Sequence, residues 1–269
     1  MPSVAYAQDH PEVGSQLIRE WAPDGEARAN IVLVHGIAEH SGRHERTGRL
    51  LAGAGFHVRG FDLIGAGGTG GRRWDIDDWG RYHDQVGEHV QWARVQGKPV
   101  VLLGHSLGGA IALGYTLSDR MRPDLLVLSA PAMAGGTGWQ RTLARLLARI
   151  VPTLALSNAV KGDHLSRDPA VAEAYFADPL VVTRATVRFG ALAFAQIDEL
   201  NDRVEELEVP TLVVHGGDDR LVPTASTECF ESMPNVERWV LPRLRHEVFN
   251  EPEGPDVIAD VARWVGSRI

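Results

Sequence analysis

The stretch VVLLGHSLGGAIALGYTLS, residues 100–118, decides how the chain is read. It opens as an apolar β-type run (100–104), turns at Gly104-His105-Ser106-Leu107-Gly108, and continues as an apolar helical pattern (107–118). G-x-S-x-G between a strand and a helix reads as a nucleophile elbow. A serine hydroxyl is a weak nucleophile and has to stand exposed beside a base. The sharp turn exposes it at the cost of a strained serine backbone, and glycines two residues away on each side leave room for that turn. Gly109 adds close helix–strand packing. The plain alternative is an ordinary serine in a glycine-lined turn.

Working outward, further β-type runs are IVLVH (31–35), FHVRGF (56–61), LLVLS (125–129), TLVVH (211–215) and RWVL (238–241). Helical patterns cover 45–54, 74–96, 224–233 and 257–265. Near-continuous apolar runs mark strands buried on both faces. Their alternation with helices predicts an α/β fold with a mostly parallel central sheet and helices on both faces. The rhythm breaks after Ser129: residues 131–201 show helical patterns and no convincing strand. The expected organisation is a core of residues 1–130 and 202–269 with a helical cap, 131–201, over the sheet's C-terminal edge. Substrate sites in open α/β sheets lie at that edge.

Composition agrees. A chain of 269 residues, 44% hydrophobic, suits one large domain with a small insertion. A net charge of -8 argues against an extended nucleic-acid footprint, though not against a local basic patch. The single cysteine, Cys229, excludes an intramolecular disulfide and a Cys-rich zinc site, and reads as a packing residue. The N-terminal MPSVAYAQDHPEVG has neither a basic n-region nor an apolar run, and no repeat is visible. No stretch approaches the roughly 18 apolar residues of a membrane span, so the expected compartment is cytoplasmic.

The serine needs partners. Two backbone N–H donors must face the developing oxyanion. Leu107 N–H opens a helix, where amides are unpaired and the dipole favours an anion. Ile37 N–H, in the loop after the strand 31–35, is the expected second donor. The base must be a histidine oriented by a carboxylate, in the chain order Ser, acid, His. His164, His215 and His246 lie downstream of Ser106. His246, between the last strand and the last helix, stands where the base belongs. His105 adjoins the serine but points to the opposite strand face, so it reads as buried and structural. The acid is Asp218 or Asp219 after TLVVH. Asp219 is preferred, and either can be a turn residue.

Two competing patterns are present. Gly65-Ala66-Gly67-Gly68-Thr69-Gly70 fits G-x-G-x-x-G, but Gly71-Arg72-Arg73 follows where a dinucleotide site needs an apolar helix. It reads as a flexible loop bordering a site. His35, His40 and His44 with Glu39 and Glu45 show no metal-site spacing and read as loop residues. No metal or organic cofactor is expected.

These residues resemble the monoacylglycerol lipase family of the α/β-hydrolase superfamily, in its bacterial form. The likeness runs through HGIAEHSGRH (35–44), GHSLGGAIAL (104–113), LSAPA (128–132), LSRDPAVAEAYFADPL (165–180), VPTLVVHGGDDRLVP (209–223) and RHEVFNEPE (245–253). GHSLGG is common to many hydrolases, whereas HGxxEHSGR, SRDP and HEVFNEPE together are far more specific. The resemblance implies an α/β-hydrolase fold and a catalytic triad of Ser106, Asp219 and His246. It also implies oxyanion donors Ile37 and Leu107, and a lid at 131–201 enclosing an acyl-chain tunnel. It implies cleavage of monoacylglycerols to fatty acid and glycerol through an acyl-enzyme. Alternatives are a broader carboxylesterase or lysophospholipase, an acyltransferase, and, more remotely, a non-catalytic binding protein or a dinucleotide oxidoreductase. There is one departure. Where the family reads DHxGHGxSxG, this chain has Leu63 and Ala66 in place of two histidines and Thr69 in place of a serine. The departure bears on loop rigidity and leaving-group preference.

Finally, Leu143, Leu146, Leu147 and Ile150 fall on one helical stripe, with Arg141, Arg145 and Arg149 on another face. This predicts either a cap helix packed on the core or an interfacial helix. In the second reading leucines meet lipid and arginines meet anionic headgroups, giving transient contact with a membrane surface. The sequence leaves the oligomeric state open.

Overall fold

The computed structural model describes residues 3–157 and 160–269. Residues 1–2 of the N-terminal stretch read above, and 158–159 of the expected cap, lie outside the described residues. The first part of the chain forms β1 (Val4–His10), β2 (Gly14–Trp21), β3 (Asn30–Val34), α1 (Glu45–Gly53), β4 (His57–Phe61) and α2 (Gly80–Val95). Next come β5 (Val100–His105), α3 (Leu107–Thr116) and β6 (Leu125–Ser129). The insertion carries α4 (Gly138–Ile150), β7 (Ala155–Ser157), α5 (Gly162–Leu165), α6 (Pro169–Ala177), β8 (Arg184–Thr186) and α7 (Val187–Arg203). β9 (Thr211–Gly216), β10 (Val236–Leu241) and α8 (Gly254–Gly266) close the chain.

Eight strands form one sheet in the order β1-β2-β4-β3-β5-β6-β9-β10. Pairing is parallel from β4 through β10, and β1 and β2 are antiparallel. The apolar runs are continuous because alternate residues feed two cores. In β5, Val101 and Leu103 enter the core shared with α1 and α8. Val100 and Leu102 enter the one shared with α2, α3 and α7. In the parallel register Val34 pairs with Gly104, His105 with Ser129, and Ser129 with Val214. The C-terminal ends of β3, β5, β6 and β9 therefore finish at one edge.

Three expectations are corrected and one element is added. The hairpin β1–β2 was not anticipated. Residues 131–201 do contain strands: β7 and β8 pair antiparallel, at three residues each too short to leave a pattern. The helix expected at 74–96 starts at Gly80, because Trp74 takes φ +44° and turns the chain. The helix expected at 224–233 is a 3-10 helix over Thr224–Phe230.

Candidate active site

Ser106 sits between β5 and α3 with φ +53° and ψ -117°, a region that L-residues rarely occupy. Its flanking glycines are required sterically. A Cβ on Gly104 would strike the carbonyl of Gly108, and one on Gly108 would strike the carbonyls of Val34 and His35. Leu107 is the first residue of α3, so its N–H has no intrahelical acceptor. Among the described residues neither Leu107 N–H nor Ile37 N–H donates to a protein acceptor. Both residues line the same cavity as Ser106.

His246 lines that cavity too, in the loop between β10 and α8. Its Nδ1 lies 2.7 Å from Asp219 Oδ2. With Nδ1–H donated to Asp219, Nε2 is left to act as a base. No hydrogen bond joins Ser106 Oγ to His246; such bonds are often long without substrate and tighten when it binds. The Asp219 carboxylate is held from four sides. Oδ1 accepts from Leu221 N at 2.8 Å and Val222 N at 3.0 Å, while Oδ2 also meets His215 Nε2 at 3.1 Å. Burial alone would raise its pKa, but the hydrogen bonds from His215 and His246 outweigh burial and hold it well below the usual carboxylate range. Asp218 is exposed in the turn. His215 was set aside as a base candidate, and its place beside Asp219 was not foreseen. His164 lies apart, in α5.

His105 is buried, as expected, with Nδ1 3.2 Å from Ser129 Oγ, yet it also reaches the cavity wall. Burial pushes its pKa down to about 4, so it is neutral near pH 7. The three histidines of the first loop have separate partners. His35 bonds the carbonyl of Gly36 and accepts from Leu63 N at 2.9 Å. His40 meets Asp178 at 2.8 Å, and His44 meets Glu39 at 3.2 Å.

The glycine loop 65–70 is not the flexible border expected. Gly65 N donates to Gly70 O, and Gly70 N to Ser15 O, each at 2.9 Å. The Asp62 carboxylate accepts from Ser41 N and Gly68 N, both at 2.8 Å. Leu63 and Ala66, which replace the family's histidines, are buried in the core under α2 and α3. The loop is pinned by Asp62, and none of its glycines lines the Ser106 cavity.

Sequence reasoning missed the polar wall of the cavity. Arg43 Nη1 and Nη2 donate to Glu247 at 2.7 and 3.0 Å, and Nη1 reaches Glu39 at 3.4 Å. Burial would raise the Glu39 carboxyl, but His44, His105 and Arg43 outweigh it and hold it well below the usual range. Glu39 and Arg43 stood in the HGIAEHSGRH stretch, and Glu247 beside the expected base; nothing in the sequence linked them. The rest of the lining is largely apolar and includes Leu107, Leu165, Leu221 and Val222.

The chain is similar to several known proteins. The family model described as "Serine aminopeptidase, S33" matches residues 25–253. A monoacylglycerol lipase of Mycolicibacterium smegmatis is 34% identical over 265 residues, covering 93% of this chain and 92% of that one. Phospholipase YtpA of Bacillus subtilis is 33% identical, covering 85% and 92%. The crystal structure of a Paleococcus ferrophilus monoacylglycerol lipase superposes with a TM-score of 0.85 at 28% identity, covering 99% of this chain and 100% of that one.

Proposed function

The chain belongs to the family described as serine aminopeptidase, S33, as an ester hydrolase akin to the monoacylglycerol lipases, and on that premise we propose that it hydrolyses monoacylglycerols with Ser106, His246 and Asp219 as triad. Ser106 Oγ attacks the ester carbonyl while His246 Nε2 takes its proton. The oxyanion is met by the N–H groups of Ile37 and Leu107. His246 then protonates the departing glycerol oxygen, and water, activated by the same imidazole, releases the fatty acid from Ser106.

One observation carries the substrate class: a small cavity whose mostly apolar lining includes three charged side chains adjoins a larger apolar one. The Ser106 cavity is about 210 Å³ and its lining includes Glu39, Arg43 and Glu247. A second cavity of about 570 Å³ lies between α4, the β7–β8 ribbon and α7, lined by residues such as Leu143, Leu147, Phe189 and Phe194. Ile37 lines both. A glycerol end beside the serine and one acyl chain in the second cavity fit this pairing, with residues 131–201 acting as the lid. Release rates across mono-, di- and triacylglycerols and short esters test the proposal. Monoacylglycerols are expected to be cleaved fastest, and faster cleavage of triacylglycerol would refute it.

The cap is also proposed to touch membrane surfaces transiently. No residue of α4 is buried; Trp139 is 67% and Ile150 77% exposed, and Leu143 and Leu146 are exposed with them. Of the three arginines, Arg141 and Arg145 are bonded to Asp198 on α7, whereas Arg149 is exposed. The contact is therefore expected to be mainly apolar and weakly dependent on salt. Among the described residues, no helix is long and apolar enough to cross a membrane.

A further inference from the structure

An arginine in a lipid-ester site ordinarily invites phosphate, because a guanidinium matches its oxygens two at a time. Arg43 is not available for that. Both of its terminal nitrogens are donated to Glu247, and one is shared with Glu39. Its guanidinium lies 4.7 Å over the Tyr175 ring. Glu39 and Glu247 are buried, and the Arg43 side chain is only 9% exposed. Two carboxylates thus face one guanidinium. His44, 3.2 Å behind Glu39, can at most bring this wall to neutrality even when protonated.

We propose that Glu247, together with Glu39, makes the polar wall a charge filter: it admits the uncharged glycerol end of a monoacylglycerol and rejects an anionic head such as the phosphate of a lysophospholipid. The inference rests on the monoacylglycerol reading above and narrows it. In a water-excluded site, bringing like charges together is costly, and specificity is commonly built from such repulsion. The site discriminates by spending its own cation on a carboxylate. Removing that carboxylate leaves the guanidinium free for the anion it now excludes.

The test compares kcat/KM for hexanoylglycerol and hexanoylglycerol phosphate, both short enough to remain monomeric. The enzymes are wild type, Glu247→Gln and Asn250→Lys, with thermal unfolding as the fold check. Asn250 Nδ2 donates to Glu247 at 2.8 Å, so the lysine adds a cation beside the wall while leaving Glu247 in place. Wild type is expected to favour the neutral ester by about a hundredfold, and each folded variant to narrow that preference by about tenfold. Comparable wild-type rates on the two esters overturn the filter. So does an unchanged ratio in whichever variant folds. Inactivity of wild type on hexanoylglycerol alongside cleavage of p-nitrophenyl butyrate would overturn the monoacylglycerol reading and the filter with it.

Discussion

Two parts of the insertion meet the sheet in opposite ways. Residues 165–178 are tied to the loop that carries His246. Buried Glu251 accepts from Ser166 Oγ at 3.1 Å, Arg167 N at 3.0 Å and Arg245 N at 2.6 Å. Glu247 N donates to Leu165 O at 2.8 Å, and Asp178 meets His40. α4, by contrast, buries no residue and is held to α7 through Asp198. Under the proposed function the difference separates two tasks. Groups that do chemistry need fixed geometry, which buried and satisfied polar bonds supply. A surface that meets lipid needs exposed apolar area, which a soluble core would have covered. It also explains why SRDP and HEVFNEPE stand out together in the sequence: Glu251 of one bonds Ser166 and Arg167 of the other.

The comparison breaks most severely at the serine. Ser106→Ala is expected to cut ester turnover by several orders of magnitude and abolish labelling by a fluorophosphonate probe. Undiminished turnover would end the mechanism. Next in size, Asp219→Asn should lower kcat by about ten-thousand-fold through loss of the imidazole's tautomer and charge support, while Asp218→Asn, on an exposed turn, should be mild. Equal losses at the two positions would contradict the geometry.

Loosening the strap comes third. Glu251→Gln removes a buried charge from its partners, and a loss of about 3 kcal/mol in unfolding free energy is expected. It should be accompanied by a shifted pH profile of kcat/KM, since Arg245 directly precedes His246. A variant as stable as wild type would show the strap to be dispensable.

Acid should act on the sheet body and spare α4. His89 is stacked on Phe61 with centroids 3.9 Å apart, and neither of its ring nitrogens has a partner among the described residues. Burial, reinforced by nearby Arg59, pushes its pKa down to about 3. The native state therefore keeps it neutral while the unfolded chain takes up a proton near its ordinary value. Its contribution is complete above about pH 6.5 and is lost as pH falls toward 3, amounting to about 2 kcal/mol by pH 5. Thermal unfolding against pH should be shallower for His89→Phe; parallel curves would refute the assignment.

The smallest effect belongs to α4. Leu146→Ser with Ile150→Ser, both exposed, should slow hydrolysis of vesicle-bound monoacylglycerol several-fold, with little change on a soluble short ester or in Tm. A loss of several degrees in Tm would make the helix part of the core.

How much of this the sequence disclosed follows burial. Strands β3, β5, β6 and β9 were legible because both of their faces are apolar. The hairpin β1–β2 was not, because β1 is almost wholly exposed and VAYAQDH carries no core face. The elbow, Asp219 and His246 were legible because local turns and chain order constrain them. His215, Glu39, Arg43 and Glu247 were not read as a set. The Arg43–Glu247 bond spans 204 residues, and no local pattern encodes it. The α4 stripe was visible, but whether it faced protein or solvent depended on tertiary packing.

The most direct test of the central claim is acid-quenched mass analysis of the peptide bearing Ser106 after brief mixing with decanoylglycerol. The account predicts a decanoyl adduct on Ser106, formed as glycerol is released and lost as decanoate appears. Glycerol release with no adduct on Ser106, or an adduct on another residue, would contradict it.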